Sequence, residues 1–115
     1  MLYSSRLFEL RTYHATPGKF DDLQARFRDH TVGLFAKHEI DLVGFWSLVD
    51  SEGRGTDTLI YLLAFADRAA ADQSWAAFRS DPEWITTKAV SEVDGSLTVA
   101  IESVFLTAAD FSPMT

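Results

Sequence analysis

Leu7-Phe8-Glu9-Leu10-Arg11-Thr12-Tyr13, followed by His14 and halted by Thr16-Pro17-Gly18, is the stretch whose reading decides the fold. Its aromatic and β-branched residues read as a strand, and the Pro-Gly pair stops it. A helix follows. Phe20, Leu23, Phe27, His30, Leu34 and His38 recur at steps of three and four, with Asp21, Asp22, Arg26, Arg28, Asp29 and Lys37 on the other side. Thr16 is the expected N-cap, with Pro17 at the first helical position.

Working outward, Leu42 to Val49 and Thr58 to Phe65 read as a second and a third strand, joined through the polar, glycine-containing stretch Asp50 to Asp57. Asp67 caps a second helix with a buried stripe of Ala71, Ser74/Trp75 and Phe78. Asp81-Pro82-Glu83 opens a further helical segment, which Asp94-Gly95 ends. Leu97 to Leu106 is the last strand, and the tail from Asp110 to Pro113 is expected to be irregular. No linker divides the chain, so residues 1–115 are expected to form one domain.

The order β-α-β-β-α-β predicts an α+β, ferredoxin-like fold, a four-stranded antiparallel sheet with helices on one face. Helices cover only that face, yet the strands are apolar on both. Ile60, Leu62 and Ala64 alternate with Leu59, Tyr61, Leu63 and Phe65. A half-exposed antiparallel sheet alternates apolar with polar, so a second copy packed sheet to sheet is the simplest cover. A homodimer is expected.

Bulk composition narrows the function. At 115 residues, 47% of them hydrophobic and 13% aromatic, the chain can bury a sizeable core. It has no cysteine, which excludes disulfides, thiolate metal sites and a cysteine nucleophile. A net charge of −7 without any basic run argues against nucleic acid and anionic membranes. Met1 to Arg6 lacks the apolar stretch of a signal peptide, and Leu59 to Phe65 is too short to span a bilayer. A soluble, cytoplasmic protein is the expectation.

Phe8-Glu9-Leu10-Arg11-Thr12-Tyr13 with Pro17-Gly18-Lys19 resembles the opening of a NIPSNAP-family domain. Val43-Gly44-Phe45-Trp46, Asp81-Pro82-Glu83-Trp84 and Phe111-Ser112-Pro113 resemble later parts of that family, in the right order. The resemblance implies the dimeric α+β barrel, two ferredoxin-like units packed sheet to sheet. It implies no settled reaction, because that architecture hosts cofactor-free monooxygenases, isomerases and small ligand-binding domains alike. The lack of a targeting segment resembles a stand-alone bacterial member.

Apolar character assigns the Phe8/Leu10 side of the first strand to the helices and turns Glu9, Arg11 and Tyr13 toward the partner sheet. Glu102, on the last strand, would join Glu9 and Arg11 at the dimer interface, as an ion-pair network or as a substrate anchor. Parity then sets His14 on the helix side, and His30 and His38 fall on the buried helix stripe. His14 and His38 are candidate general bases, with Arg11 to hold an oxyanion. The plainer reading of each histidine is a hydrogen-bonded boundary residue. Two helical turns separate His30 from His38, so no metal site is expected, and nothing calls for a cofactor.

Three functions stay open. A small apolar or aromatic ligand could bind between helices and sheet, against Tyr13, His14, His38, Trp46 and Trp84. A cofactor-independent monooxygenase or isomerase is the second reading, and a non-catalytic dimeric interaction module the third. Whether the protein is an enzyme is not decided by the sequence.

Overall fold

The computed structural model describes residues 6–115, so the expectation about a leader at Met1 to Arg6 lies almost wholly outside the described residues. The elements run β1 (Leu7–Ala15), α1 (Phe20–Arg26), a π-helical turn (Phe27–Thr31), α2 (Val32–Lys37), β2 (Asp41–Val49), β3 (Gly55–Phe65), α3 (Arg68–Ser80), α4 (Pro82–Ser91) and β4 (Thr98–Thr107). The four strands form one sheet in the order β2-β3-β1-β4, with β1 antiparallel to both its neighbours. This is the expected α+β, ferredoxin-like architecture. Among the described residues no helix is long and apolar enough to cross a membrane.

The start of α1 departs from expectation. Thr16, Pro17, Gly18 and Lys19 make a turn instead of a helix cap, closed by Lys19 N–H on the Thr16 carbonyl at 2.8 Å. Pro17 at its second position and Gly18 at its third, with φ of +79°, are what a type II turn demands. The Thr16 hydroxyl is occupied elsewhere, donating to the Ser96 carbonyl. The helix therefore begins at Phe20 with no side-chain cap.

Between α1 and α2 the π turn inserts extra backbone, and this shifts the helical phase. After Phe27 the buried positions are Thr31, Leu34 and Phe35, while His30 turns to solvent. The expected burial of His30 is thus corrected by a bulge that periodicity alone does not reveal. Thr31 holds the bulge, its hydroxyl donating to the Arg26 carbonyl five residues back at 3.3 Å.

The later helices follow their signals. Asp67 caps α3 by accepting from the Ala70 N–H, and Ala71, Trp75 and Phe78 form the buried stripe. Asp81 caps α4 ahead of Pro82. Leu23, Leu34, Phe35, Tyr61, Leu63 and Leu97 form the fully buried centre between sheet and helices. In β2 an extra residue at Val43 lets both Leu42 and Phe45 face the helices, opposite Leu63 and Tyr61.

Candidate functional site

Register decides which side of β1 meets the helices. Glu9 stands opposite Leu63 and Phe105, Arg11 opposite Tyr61 and Ser103, and Tyr13 opposite Leu59 and Ile101. Directly opposed residues share a face, and Tyr61 and Leu63 lie in the helix-covered core. Glu9, Arg11 and Tyr13 therefore point under the helices. Leu10, Thr12 and His14 fall on the open face. This reverses the assignment of Glu9 and Arg11 to a dimer interface, because polar partners supplied by other elements outweigh the apolar side of the strand.

Those partners are complete for Glu9. Its carboxylate accepts from Trp75 Nε1 at 2.7 Å, from Arg11 Nη1 at 2.8 Å and from the Ser103 hydroxyl. Arg11 Nε donates to the Tyr61 oxygen at 2.9 Å and Nη2 to the Tyr13 oxygen at 3.2 Å. The two phenols bond to each other at 3.0 Å. Above the guanidinium lies the Trp75 ring, its centroid 4.5 Å away, a cation–π contact.

Charge states follow from these contacts. Burial works against the Arg11 charge, but Tyr61, Tyr13 and Glu9 together hold its pKa above the ordinary value, so it stays a cation. Burial, followed by the neighbouring Tyr13, pushes the Tyr61 phenol well above its ordinary value despite Arg11, which keeps it neutral.

The cluster forms the floor of a cavity of about 260 Å³ between the sheet, the π turn and α3/α4. Arg11, Tyr13, Phe27, Trp75 and Trp84 line it, with Ile101 of β4 at the sheet side. Phe27 packs edge-on against Tyr13 at 5.3 Å and Phe78 lies against Trp84 at 4.8 Å. Arg26, on the last turn of α1, donates to Ser91 and Glu92 at the end of α4 and sits 5.2 Å from the Trp84 centroid. The walls are aromatic, and four of the side chains on them are cationic, Arg11, Arg26, Arg79 and Lys88.

Of the expected ligand residues, Tyr13 and Trp84 meet in this cavity and three do not. His14 is on the open face, its Nε2 against Glu102, and its Nδ1 3.4 Å from the Thr58 hydroxyl. Trp46 lies on the same face, half exposed, its indole folded over Gly44. His38 closes α2 and bonds Asp81 at 2.7 Å, beside a shallow groove that also borders Arg6 and Asp41. No histidine lines the aromatic cavity, so the pairing of a histidine base with Arg11 is not assembled there. Among the described residues no three of His, Asp and Glu are grouped as a metal ion needs.

Sequence reading did not place Arg26 or Ser103 in the site, and did not pair Trp75 with Glu9 or Tyr61 with Arg11. One signal was available: a strand carrying Glu9, Arg11 and Tyr13 on one side needs polar partners, and Trp75 on the buried stripe of α3 offers an N–H. Nothing local marks Ser103 or the Arg26–Glu92 pair, which join residues far apart in the chain.

Comparison with known proteins agrees with this architecture. A sequence model of the NIPSNAP family matches residues 8–113. A NIPSNAP domain protein from Burkholderia xenovorans, described as uncharacterized, superposes with a TM-score of 0.77 at 27% identity, over 93% of this chain and 98% of that one. A NIPSNAP family protein of unknown function from Agrobacterium tumefaciens gives 0.81 at 20% identity, over 99% and 97%. A structure described as an antibiotic biosynthesis monooxygenase shares the fold alone, with a TM-score of 0.58 at 14% identity over 90% and 98%. No curated protein matches the sequence.

Proposed function

This chain belongs to the NIPSNAP family, and from that premise we propose that it binds a small, flat, apolar or aromatic ligand in the cavity between sheet and helices. The aromatic lining of that cavity, Tyr13, Phe27, Trp75 and Trp84 around about 260 Å³, is the observation that carries the reading. Flat rings stack on such walls, and a cavity of this size suits a compact molecule. The π turn supports it, since bulges of this kind gather at functional positions, and here Phe27 and Thr31 of the bulge both line the space. Ligand stays at the helix side, away from His14, so the reading needs no histidine base and ranks above a cofactor-independent oxygenase or isomerase.

Calorimetric titration with single-ring and fused-ring aromatics tests the reading. Ile101→Trp, at a half-exposed position on the cavity wall, is expected to abolish binding while the far-ultraviolet circular dichroism is unchanged. Undiminished binding in that variant would move the ligand elsewhere and end this reading.

The same protein is proposed to act as a homodimer through the open sheet face. Trp46, Val104 and Leu106 stand 52%, 51% and 42% exposed on that face, beside Leu10, Ile60 and Leu62. Charge is sparse among them, and the His14–Glu102 pair with Thr12 supplies most of the polarity. Two such faces packed together bury both. Light scattering after size exclusion should give twice the 12.9 kDa chain mass, and Leu106→Asp should give the chain mass itself. A wild-type monomer at high concentration would overturn this.

A further inference from the structure

The charge on the cavity walls goes further than their aromatic character. Four cationic side chains line the space, Arg11, Arg26, Arg79 and Lys88. Two have acidic partners, Glu9 for Arg11 and Glu92 for Arg26. Arg79 and Lys88 have no ion-pair partner among the described residues, and Arg79 rests only against the Trp75 ring, 5.4 Å from its centroid. The surplus is two positive charges at the mouth of a cavity, in a chain whose overall charge is −7.

Two further observations point to a missing acceptor. Arg26 is 7% exposed, yet its Nε has no hydrogen-bond partner among the described residues. A buried donor left unpaired is costly and uncommon in a folded protein. The second observation is a count of hydrogens on the floor. Tyr13 and Tyr61 share one hydrogen bond, and each oxygen also accepts from Arg11. Tyr61 donates to Tyr13, so the Tyr13 hydroxyl hydrogen is left without an acceptor among the described residues, and Tyr13 is the phenol that lines the cavity. The walls thus supply a spare donor and spare positive charge, and Glu92, the one carboxylate among the described lining residues, is already held by Arg26.

We infer that the ligand is an anion, a planar aromatic or conjugated carboxylate whose ring lies against Trp75 and Trp84. Its carboxylate takes the Tyr13 hydroxyl hydrogen and is drawn in by Arg79 and Lys88. Water can satisfy the Tyr13 donor, but only an anion also offsets the unmatched cations. A ring with a carboxylate satisfies both the apolar and the charged parts of the wall. This inference rests on the binding reading above and names the class of molecule that the same cavity takes.

Calorimetry with benzoate and 2-naphthoate, each against its neutral amide, at low and high salt, tests it. At least one acid is expected to bind about tenfold more tightly than its amide, the gain of one charge-assisted hydrogen bond, and to weaken as salt rises. The exposed substitutions Arg79→Gln and Lys88→Gln, made together, should erase most of that preference, so that acid and amide bind about equally. Equal binding of acid and amide would overturn the anion inference and leave the aromatic cavity reading standing. No binding of either acid or either amide would overturn both. An acid preference that survives the double substitution and high salt would refute the assigned role of Arg79 and Lys88.

Discussion

The two faces of the sheet are built on opposite principles. The helix-covered face buries charge: Glu9, 2% exposed, is bonded by Trp75, Arg11 and Ser103, and Arg11 is bonded in turn by both phenols. The open face exposes apolar side chains, Trp46, Val104 and Leu106 among them, with a solvent-reached His14–Glu102 pair. Burial and polarity are thus inverted from the simplest rule. The lesson is that a charged residue can go inside when its hydrogen bonds are fully supplied, and that apolar side chains on a strand do not by themselves fix the face the helices cover.

The largest expected break in this contrast is Glu9→Ala. It strands the buried Arg11 guanidinium and the Trp75 N–H together, and should cost ~3–5 kcal/mol of folding stability in urea denaturation. A loss no greater than that of an ordinary surface substitution would mean that the network contributes little. Tyr61→Phe is gentler, removing one hydroxyl that accepts from Arg11 and bonds Tyr13. It should cost about 1–3 kcal/mol, without altering the association state.

Acid sets the next effect. The bonds from Lys37 and His38, with the Glu83 N–H, hold the Asp81 carboxyl well below the ordinary carboxylate range. Because the unfolded chain takes up that proton more readily, the stability from this group is complete above about pH 5 and is lost as the pH falls through the lowered value. Asp81→Asn should flatten that part of the acid limb in a series of melts from pH 6 to pH 2, and an unchanged limb would dissociate Asp81 from it.

On the open face the effects on folding should be small. Leu106→Asp is expected to change monomer stability by less than ~0.5 kcal/mol, while shifting the association equilibrium far toward monomer. His14→Ala should be the smallest of all, within ~0.5 kcal/mol, since exposed ion pairs contribute little. Equal destabilisation by Glu9→Ala and Leu106→Asp, measured on monomers, would erase the difference between the faces.

Much of the fold could be read directly from local signals. Asp67 and Asp81-Pro82 mark the starts of α3 and α4, and the Ala71/Trp75/Phe78 stripe is buried as its spacing predicts. Strand existence and order were legible as well. The start of α1 was not, because Thr16-Pro17-Gly18 suits both a helix start and a type II turn, and the Thr16 hydroxyl chose Ser96, 80 residues away. Of the site, Tyr13 and Trp84 were legible and His14, His38 and Trp46 were misplaced. The histidines failed for two different reasons, face reversal on β1 for His14 and the end of α2 turning toward Asp81 for His38.

By itself the sequence determined the α+β topology, its NIPSNAP resemblance and the presence of more apolar strand surface than two helices can cover. Strand character, helix-start signals and side-chain period are local properties, encoded within a few residues. Only the tertiary structure decided which side of β1 faces inward, that the π turn moves His30 out, and that Arg11, Tyr13 and Trp75 share one cavity. Those outcomes depend on hydrogen bonds between residues up to 94 positions apart, as between Ser103 and Glu9. Alternation along one strand fixes two faces but not which of them is in. That choice belongs to the partners that the rest of the chain brings to it.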